Sequence, residues 1–316
     1  MAISSIKNKT SGRKLLVGNV AWPLNDGSIP GRALIGGGYT NDLVNTIDYY
    51  AIGTTGNAAD FGDLTFSRTY LQGFSSSSRA LWPGGNAGSS SGSNYIDYVQ
   101  FITLGNAIDF GDLSVTRWGV GALSSSTRGV ITGGATPTAN NTIDYVTMAS
   151  LGNATDFGDL TQARFGLGSC SSTTRGLIGG GDGLNIIDYI TIATTGNATD
   201  FGDLTVARKY LSSCSNATRG VWGGGEATGN SNVIDYVTIA STGNATDFGD
   251  LTLTRRNVTA ASSSTRATFA GGDQSEINRT TIDYVEIATT GNATSFGALS
   301  QARLGPGGCS NAHGGL

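Results

Sequence analysis

Histidine, cysteine, lysine and glutamate are scarce in this 316-residue sequence, which has one histidine, three cysteines, four lysines and three glutamates. A single histidine, His313, argues against Ser-His-Asp and Cys-His catalysis and against a multi-histidine metal centre. Three cysteines do not make a disulfide framework. We therefore predict a protein without catalytic residues, metal or other cofactor.

Long apolar runs and an excess of positive charge are also missing. No run approaches the roughly 18 apolar residues of a membrane helix. The first residues, MAISSIKNKTSGRK, have no apolar region typical of a secretory signal. The net charge is −4 and the isoelectric point is near 4.9, which argues against a nucleic-acid partner. We expect neither membrane insertion nor nucleic-acid binding.

Glycine is abundant, with 49 residues, and the sequence repeats itself six times. The tetrapeptide DFGD stands at 60–63, 109–112, 156–159, 200–203 and 247–250, and a sixth copy reads SFGA at 295–298. In protein kinases an Asp-Phe-Gly triplet holds magnesium, but a kinase needs one such Asp together with a catalytic loop and a strand lysine. Six copies indicate a structural repeat instead.

Each repeat has three landmarks: the Asp of IDY, the Arg of LTxxR and the Arg of RG. The IDY aspartate always precedes the next RG arginine by 31 residues, as from Asp188 to Arg219, whereas 13 to 18 residues separate that arginine from the next IDY aspartate. Four short apolar or alternating runs fall within each repeat, for example at 208–215, 219–225, 233–240 and 247–254. Four strands per repeat of about 47 residues are typical of a β-propeller blade.

The two ends of the repeat region complement each other. The first repeat opens at 32–38 without the strand that should precede it, and residues 302–316 supply a strand of that kind. We therefore predict an all-β, six-bladed propeller over residues 31–316. Each blade has four antiparallel strands, and the N- and C-terminal strands close the ring by sharing one blade. Residues 1–30 form a separate arm.

The repeat resembles the kelch repeat, which has a diglycine after its second strand, a tyrosine in the third and an aromatic residue, usually Trp, in the fourth. Gly84-Gly85, Tyr98 and Phe110 occupy these places in one blade, with Phe replacing the usual Trp. The low-charge, Gly/Ser/Thr-rich version is also similar to kelch-type repeats in structural proteins of tailed bacteriophages. That second resemblance implies a component of a virion tail or fibre.

The recurring Asp and Arg residues are predicted to be structural, because groups that recur in every blade fit turns and ion pairs better than catalysis. We expect Asn197 to form a turn, Phe201 to fill the space between blades, and Asp203 to pair with nearby backbone or with Arg208. A calcium site made of the Asp-x-x-Asp carboxylates is the alternative.

The cysteines share one position of the repeat with apolar residues. Cys170, Cys214 and Cys309 stand where other blades have Phe74, Leu123 and Ala261. A position that accepts Phe, Leu, Ala and Cys is predicted to lie in the core.

One face of the propeller is predicted to differ between blades. The 2–3 and 4–1 connections share a face; the 2–3 loops vary in length and content, and so does the residue after each LTxxR arginine. Loops on a rigid scaffold usually carry recognition, and aromatic with polar side chains would suit a sugar. The alternative is that these loops vary because nothing constrains them. The candidate ligand-binding residues are Tyr39, Asp42, Tyr70, Tyr95, Trp118, Asn140, Phe165, Asp182, Lys209, Tyr210, Glu226, Arg256, Asp273 and Glu276.

These patterns favour a non-enzymatic structural and adhesion module of a phage particle, made in the host cytoplasm without a signal peptide. Residues 1–30 combine basic residues with the apolar KLLVGNVAWPL and would dock onto other virion proteins; a flexible terminus or an extra strand is the alternative. The variable face would bind a host-surface polysaccharide or a neighbouring virion protein.

Two other functions stay open. A glycan-degrading propeller enzyme would need two carboxylates about 5–10 Å apart, for which Asp182, Glu226, Asp273 and Glu276 are the candidates. A ligand-free architectural decoration protein would need none of these residues.

Overall fold

A computed structural model describes residues 14–17, 20–23, 31–88 and 92–316. The chain divides into two units, Met1–Pro30 and Gly31–Leu316. In the first unit, β1 (Lys14–Val17) pairs antiparallel with β2 (Val20–Pro23). The rest of the predicted docking arm lies outside the described residues, so its partner stays a prediction.

The second unit consists of six four-stranded antiparallel sheets, which form the six blades. Every regular element of the described residues is a β-strand. Strand bounds in the first two blades are β28 (Gly307–Ser310), β3 (Arg32–Gly36), β4 (Thr46–Ala51) and β5 (Ala59–Asp63); then β6 (Phe74–Ser75), β7 (Arg79–Pro83), β8 (Ser93–Gln100) and β9 (Ile108–Arg117).

The next four blades follow the same order. Their strands are β10 (Gly121–Ser124), β11 (Arg128–Thr132), β12 (Thr142–Thr147) and β13 (Thr155–Asp159); β14 (Gly168–Ser171), β15 (Arg175–Gly179), β16 (Ile186–Thr191) and β17 (Thr199–Asp203); β18 (Ser212–Ser215), β19 (Arg219–Gly223), β20 (Val233–Thr238) and β21 (Thr246–Asp250); β22 (Thr259–Ser262), β23 (Arg266–Ala270), β26 (Thr281–Glu286) and β27 (Thr294–Ala298). In the sixth blade a small hairpin, β24 (Asp273–Gln274) and β25 (Ile277–Asn278), fills the 2–3 connection.

The ring closes as the sequence predicts. β28, from the end of the propeller, pairs antiparallel with β3, from its beginning, and Cys309 lies opposite Leu34. The first blade is thus built from both ends of the propeller, and the ring keeps only the short strand edges of its four-stranded blades.

The core lies between neighbouring blades. Phe201 belongs to a cluster that also holds Leu204 from its own blade and Leu211 and Trp222 from the next, which agrees with the prediction that this aromatic fills the space between blades. The three cysteines are free and buried, and burial raises the pKa of the Cys170 thiol to about 12. A thiol kept neutral in this way acts as a small core residue.

A buried ion pair recurs in every blade. The LTxxR arginine on each 4–1 connection meets the IDY aspartate of the blade that it leads into. The N–O distances are 2.8 Å for Arg68–Asp97, 2.7 Å for Arg117–Asp144, 2.9 Å for Arg164–Asp188, 2.6 Å for Arg208–Asp235, 2.7 Å for Arg255–Asp283 and 3.0 Å for Arg303–Asp48. Arg208 therefore pairs with Asp235 of the next repeat. The prediction that Asp203 could pair with Arg208 is wrong. Asp203 instead donates its backbone N–H to Asn244 Oδ1, 3.1 Å away.

The RG arginines also join blades. The Arg175 guanidinium lies 4.7 Å from the centre of the Tyr189 ring, and its Nη1 donates to the carbonyl of Ile239 in the next blade at 2.9 Å. The other five RG arginines make the same kind of ring contact and the same kind of bond to the following blade. Both repeated arginines therefore hold the ring together.

The GNA turn of one blade extends the outer strand of the blade before it. Asn197 Oδ1 accepts a hydrogen bond from Asp159 N–H at 3.0 Å, and Gly196 N–H donates to the Phe157 carbonyl at 2.8 Å. The repeated DFG glycine lies under the next turn: a Cβ added to Gly202 would come within 2.5 Å of the backbone of Gly243. The DFG motif is thus the place where the outer strand of one blade contacts the 3–4 turn of the next blade.

Candidate functional site

The 4–1 and 2–3 connections are joined by backbone pairing, which places them on one face. Lys209 N–H donates to the Glu226 carbonyl at 3.0 Å, and Glu226 N–H donates to the Lys209 carbonyl at 2.7 Å. Equivalent pairings join Thr69 with Asn86, Trp118 with Ala135, Phe165 with Asp182, Arg256 with Asp273 and Leu304 with Tyr39. The residue after each LTxxR arginine therefore sits beside the first residue of the 2–3 loop, and these pairs make up the variable face.

The next residue along each 4–1 connection adopts a left-handed backbone conformation. Three blades have glycine there, Gly119, Gly166 and Gly305 with φ of 60° to 65°; the other three have Tyr70 (53°), Tyr210 (56°) and Asn257 (54°). A bulky L-residue in this region costs on the order of 1 kcal/mol or more. Tyr70 and Tyr210 thus occupy positions where glycine would adopt the same backbone conformation without strain.

Five backbone hydrogen bonds and one from a side-chain hydroxyl run in a circle through these six positions around the propeller axis. In five of the six, the N–H donates to the carbonyl of the equivalent residue in the preceding blade, from Gly119 to Tyr70 at 2.8 Å through Gly305 to Asn257 at 2.9 Å. Between Gly305 and the second blade, Thr69 Oγ1 donates to the Gly305 carbonyl at 3.4 Å. This circle forms the rim of the axial channel on the variable face.

Four aromatic rings meet at this rim. The centroid distances are 5.5 Å for Tyr70–Trp118, 5.2 Å for Trp118–Phe165, 5.9 Å for Phe165–Tyr210 and 5.8 Å for Tyr210–Tyr70. Each ring touches two others, so the four residues, drawn from four successive blades, form a closed group that we call the aromatic rim. Burial raises the pKa of the Tyr210 hydroxyl to about 12.

A network of charged side chains completes the rim. Arg256 contacts Glu226 through Nη1, Asp273 through Nε at 3.2 Å and Glu276 through Nη2 at 2.6 Å, while Lys209 Nζ lies 3.9 Å from Glu226. The hydrogen bond with Glu226 raises the pKa of the Arg256 guanidinium. Lys209 Nζ also lies 5.2 Å from the centre of the Tyr210 ring. The ionic network therefore adjoins the aromatic rim.

The remaining predicted residues have other surroundings. Tyr95 lies in β8, about half exposed, with its ring 5.0 Å from that of Phe66. Asn140 serves its own loop, because its Oδ1 accepts from Thr142 N–H at 2.6 Å. Asp42 is exposed in the 2–3 loop of the first blade. Tyr39 pairs with Leu304, and Asp182 is exposed beside Phe165.

A ring of serines, which the sequence reading missed, lines the axial channel. Each hydroxyl donates to the carbonyl of the equivalent serine in the preceding blade at 2.5 to 2.8 Å; the six residues are Ser75, Ser124, Ser171, Ser215, Ser262 and Ser310. A cavity of about 40 Å³ lies within this ring, which is room for a few water molecules. The sequence did contain a signal for this ring, because every repeat has a serine at the same place.

Residues near the end of the sequence enter the channel on the opposite face. His313 Nε2 lies 3.0 Å from the Ser75 carbonyl, and Gly315 N–H donates to His313 Nδ1 at 3.1 Å. Gly314 N–H donates to the Ser215 carbonyl at 2.9 Å. The neutral Nε2–H tautomer satisfies both ring nitrogens, so the histidine covers the serine ring in its uncharged form.

Acid should destabilise the propeller through His313. Burial lowers its pKa in the folded protein, so the folded state binds fewer protons than the unfolded state, whose histidine pKa is about 6.5. This contribution is fully present above about pH 6.5 and declines as the pH falls through and below that value. Urea unfolding between about pH 7.5 and 5.5 measures it.

His313→Gln is the matched variant for this measurement. The cysteines that line the same cavity stay neutral throughout the range, because burial raises their pKa values. The wild type should therefore lose more stability on acidification than His313→Gln. Equal slopes for the two proteins would contradict the assignment.

In the described part of the chain, no group of three or more His, Cys, Asp or Glu side chains is arranged to hold a metal ion. The same residues include no helix with the length and apolar character required to cross a lipid bilayer.

The fold and the rim define this chain as a six-bladed β-propeller with one variable, aromatic-lined face. A scan against protein-family models found no matching family, and a search of curated proteins found no similar sequence.

Proposed function

We propose that this chain is a kelch-type propeller of a bacteriophage particle, in the tail or fibre, that acts as a non-enzymatic adhesion module. Its variable face binds a glycan on the host surface. Residues 1–30 attach it to other virion proteins. The observation that carries the proposal is the aromatic rim, which four blades build at the mouth of the channel.

Two properties of the rim support binding over chance variation. First, Tyr70 and Tyr210 occupy left-handed positions where three other blades have glycine, and strained residues of this kind cluster at ligand sites. Second, all differences in repeat length fall between the RG arginine and the next IDY aspartate, the interval that holds the 2–3 connection of this face, whereas the ion pairs and serines of the interior repeat in every blade. A rigid scaffold with one variable, aromatic face is the usual construction of a recognition site.

Replacing the rim aromatics should weaken glycan binding without unfolding the protein. Trp118→Ala and Phe165→Ala each remove a half-buried ring whose contacts lie on the surface, so we expect a loss of affinity of about tenfold or more. Glycan arrays and calorimetry with the full chain measure the effect. Ile102→Ala, an exposed residue of a 3–4 connection, is the control and should bind like the wild type.

Other outcomes of the same experiment would replace the proposal. If no glycan binds, an architectural decoration protein explains the chain better. If the wild type releases reducing ends from a bacterial polysaccharide, and Glu226→Ala with Asp273→Ala abolishes this release, the protein is a glycan-degrading enzyme. In the structure both carboxylates contact Arg256. The double variant Glu226→Ala with Asp273→Ala therefore also shows whether these two carboxylates have a role besides their ion pairs with Arg256.

Attachment to the particle is tested separately. Cross-linking mass spectrometry of purified virions should join lysines within residues 1–30 to another virion protein. Deleting residues 1–30 should yield particles without the propeller. Particles that retain the deleted form would contradict docking through this segment.

A further inference from the structure

One buried acceptor at the rim lacks a partner. Asn257 is 6% exposed, and its Nδ2 donates to Asp273 Oδ1 at 2.8 Å. Because a carboxylate only accepts hydrogen bonds, this contact requires the amide nitrogen to face Asp273. The amide oxygen, Oδ1, has no hydrogen-bond partner among the described residues. An unpaired buried acceptor costs about 1–3 kcal/mol, so a donor from outside the chain would be favoured there.

Asn257 lines a cavity under the aromatic rim. The cavity has a volume of about 30 Å³, and its lining also includes Tyr70, Tyr210 and Gln72. A space of this size holds one or two groups as large as a water molecule. A small donor group at the tip of a ligand fits it, whereas a whole sugar ring does not.

The charges at the rim favour a cation. Arg256 is engaged by three carboxylates, and with Lys209 the network has two positive against three negative side chains, a net charge of −1. Asp182 adds a further exposed carboxylate, close enough to Tyr210 to contribute to the raised pKa of its hydroxyl, which burial chiefly causes. The rim thus presents negative charge beside aromatic faces, which attract cations.

We propose that this cavity is the site of an ammonium group, and that the ligand is a glycan containing amino sugars with free amines. The ammonium donates to Asn257 Oδ1, lies against the Tyr70 and Tyr210 rings, and balances the negative charge of the network. The sugar ring rests on the rest of the aromatic rim. The inference rests on the proposed glycan binding and specifies its chemistry.

Two oligosaccharides that share the same sugar rings and differ only at the amino group test the proposal, and the salt dependence separates the effect of charge from that of the added acetyl group. A glucosamine tetramer carries free amines, and its fully N-acetylated form has the same rings without the charge. At about pH 6, below the usual pKa of amines, calorimetry with the full chain should show the glucosamine tetramer binding about tenfold more tightly or better. Raising the salt concentration should reduce the difference.

Asn257→Gly is the matched variant. Three other blades have glycine at this position with a similar φ, so the backbone accepts the change, and circular dichroism should confirm the fold. We expect the preference for the free amine to fall several-fold. Glu276→Gln, at an exposed residue of the network, should reduce the preference less.

The outcomes separate this inference from the proposed function. If both tetramers bind equally and Trp118→Ala weakens both, glycan binding stands and the ammonium site is overturned. An unchanged preference in Asn257→Gly also overturns it, because the cavity then holds water only. If neither tetramer binds but a lysine-rich peptide does, the occupant is a protein and both proposals fail.

Discussion

Asp235→Ala should lower the free energy of unfolding by about 3–5 kcal/mol. Its carboxylate pairs with the fully buried guanidinium of Arg208 at 2.6 Å and accepts from the Thr205 hydroxyl. Removing the carboxylate leaves a charged guanidinium in the interior without its counter-ion and a hydroxyl without its acceptor. Because the pair joins one blade to the connection from the previous blade, the loss falls on the contact between blades. Urea unfolding followed by tryptophan fluorescence measures it.

Asp203→Ala is the control for this experiment. Asp203 lies five residues before Arg208 in the same repeat, but Arg208 does not pair with it. The sixth blade has Ala298 at the place equivalent to Asp203. We expect a change within about 1 kcal/mol. If both substitutions cost the same, the recurring ion pair is not what holds successive blades together.

Much of this fold was predictable because the sequence contains six copies of the repeat, and each copy corresponds to one blade. Landmarks at constant spacing identified the blades, and the missing first strand with its counterpart at the end predicted the closure that β28 and β3 confirm. The core position of the cysteines was predictable because Phe74, Leu123 and Ala261 share it. Comparing the six repeats with one another thus showed which residue types each position of a blade accepts.

The pairings between repeats were harder to predict. Sequence spacing places Asp203 five residues before Arg208, whereas the actual partner, Asp235, stands 27 residues later. Closeness in sequence suggests Asp203 as the partner of Arg208, but the 4–1 connection leads into the next blade and places Arg208 beside Asp235 of that blade. The serine ring was missed for a similar reason, since its bonds run between blades and only the closed ring brings the hydroxyls to one axis.

The candidate site was predictable in part. The residues after the LTxxR arginines and the first residues of the 2–3 loops were expected on one face, and the structure joins them by backbone pairing. Tyr95 and Asn140 were chosen from the variable 2–3 loops, but the Tyr95 ring contacts Phe66 and Asn140 bonds within its own loop. The left-handed backbone at Tyr70 and Tyr210 could be suspected only from the glycines at the same position in other blades.

Gly202→Ala should be the second strongly destabilising change, and it explains the repeated DFG triplet. Gly202 has φ of 147°, and an added Cβ would meet the Gly243 backbone at 2.5 Å. Neither group can move aside, because Asn244 Oδ1 accepts from the neighbouring Asp203 N–H. We expect a loss of about 2–4 kcal/mol in unfolding free energy. Gly229→Ala, in a 2–3 loop where an added Cβ meets nothing within 4 Å, should change it little. A tolerated Gly202→Ala would show that the outer strands do not depend on this close approach.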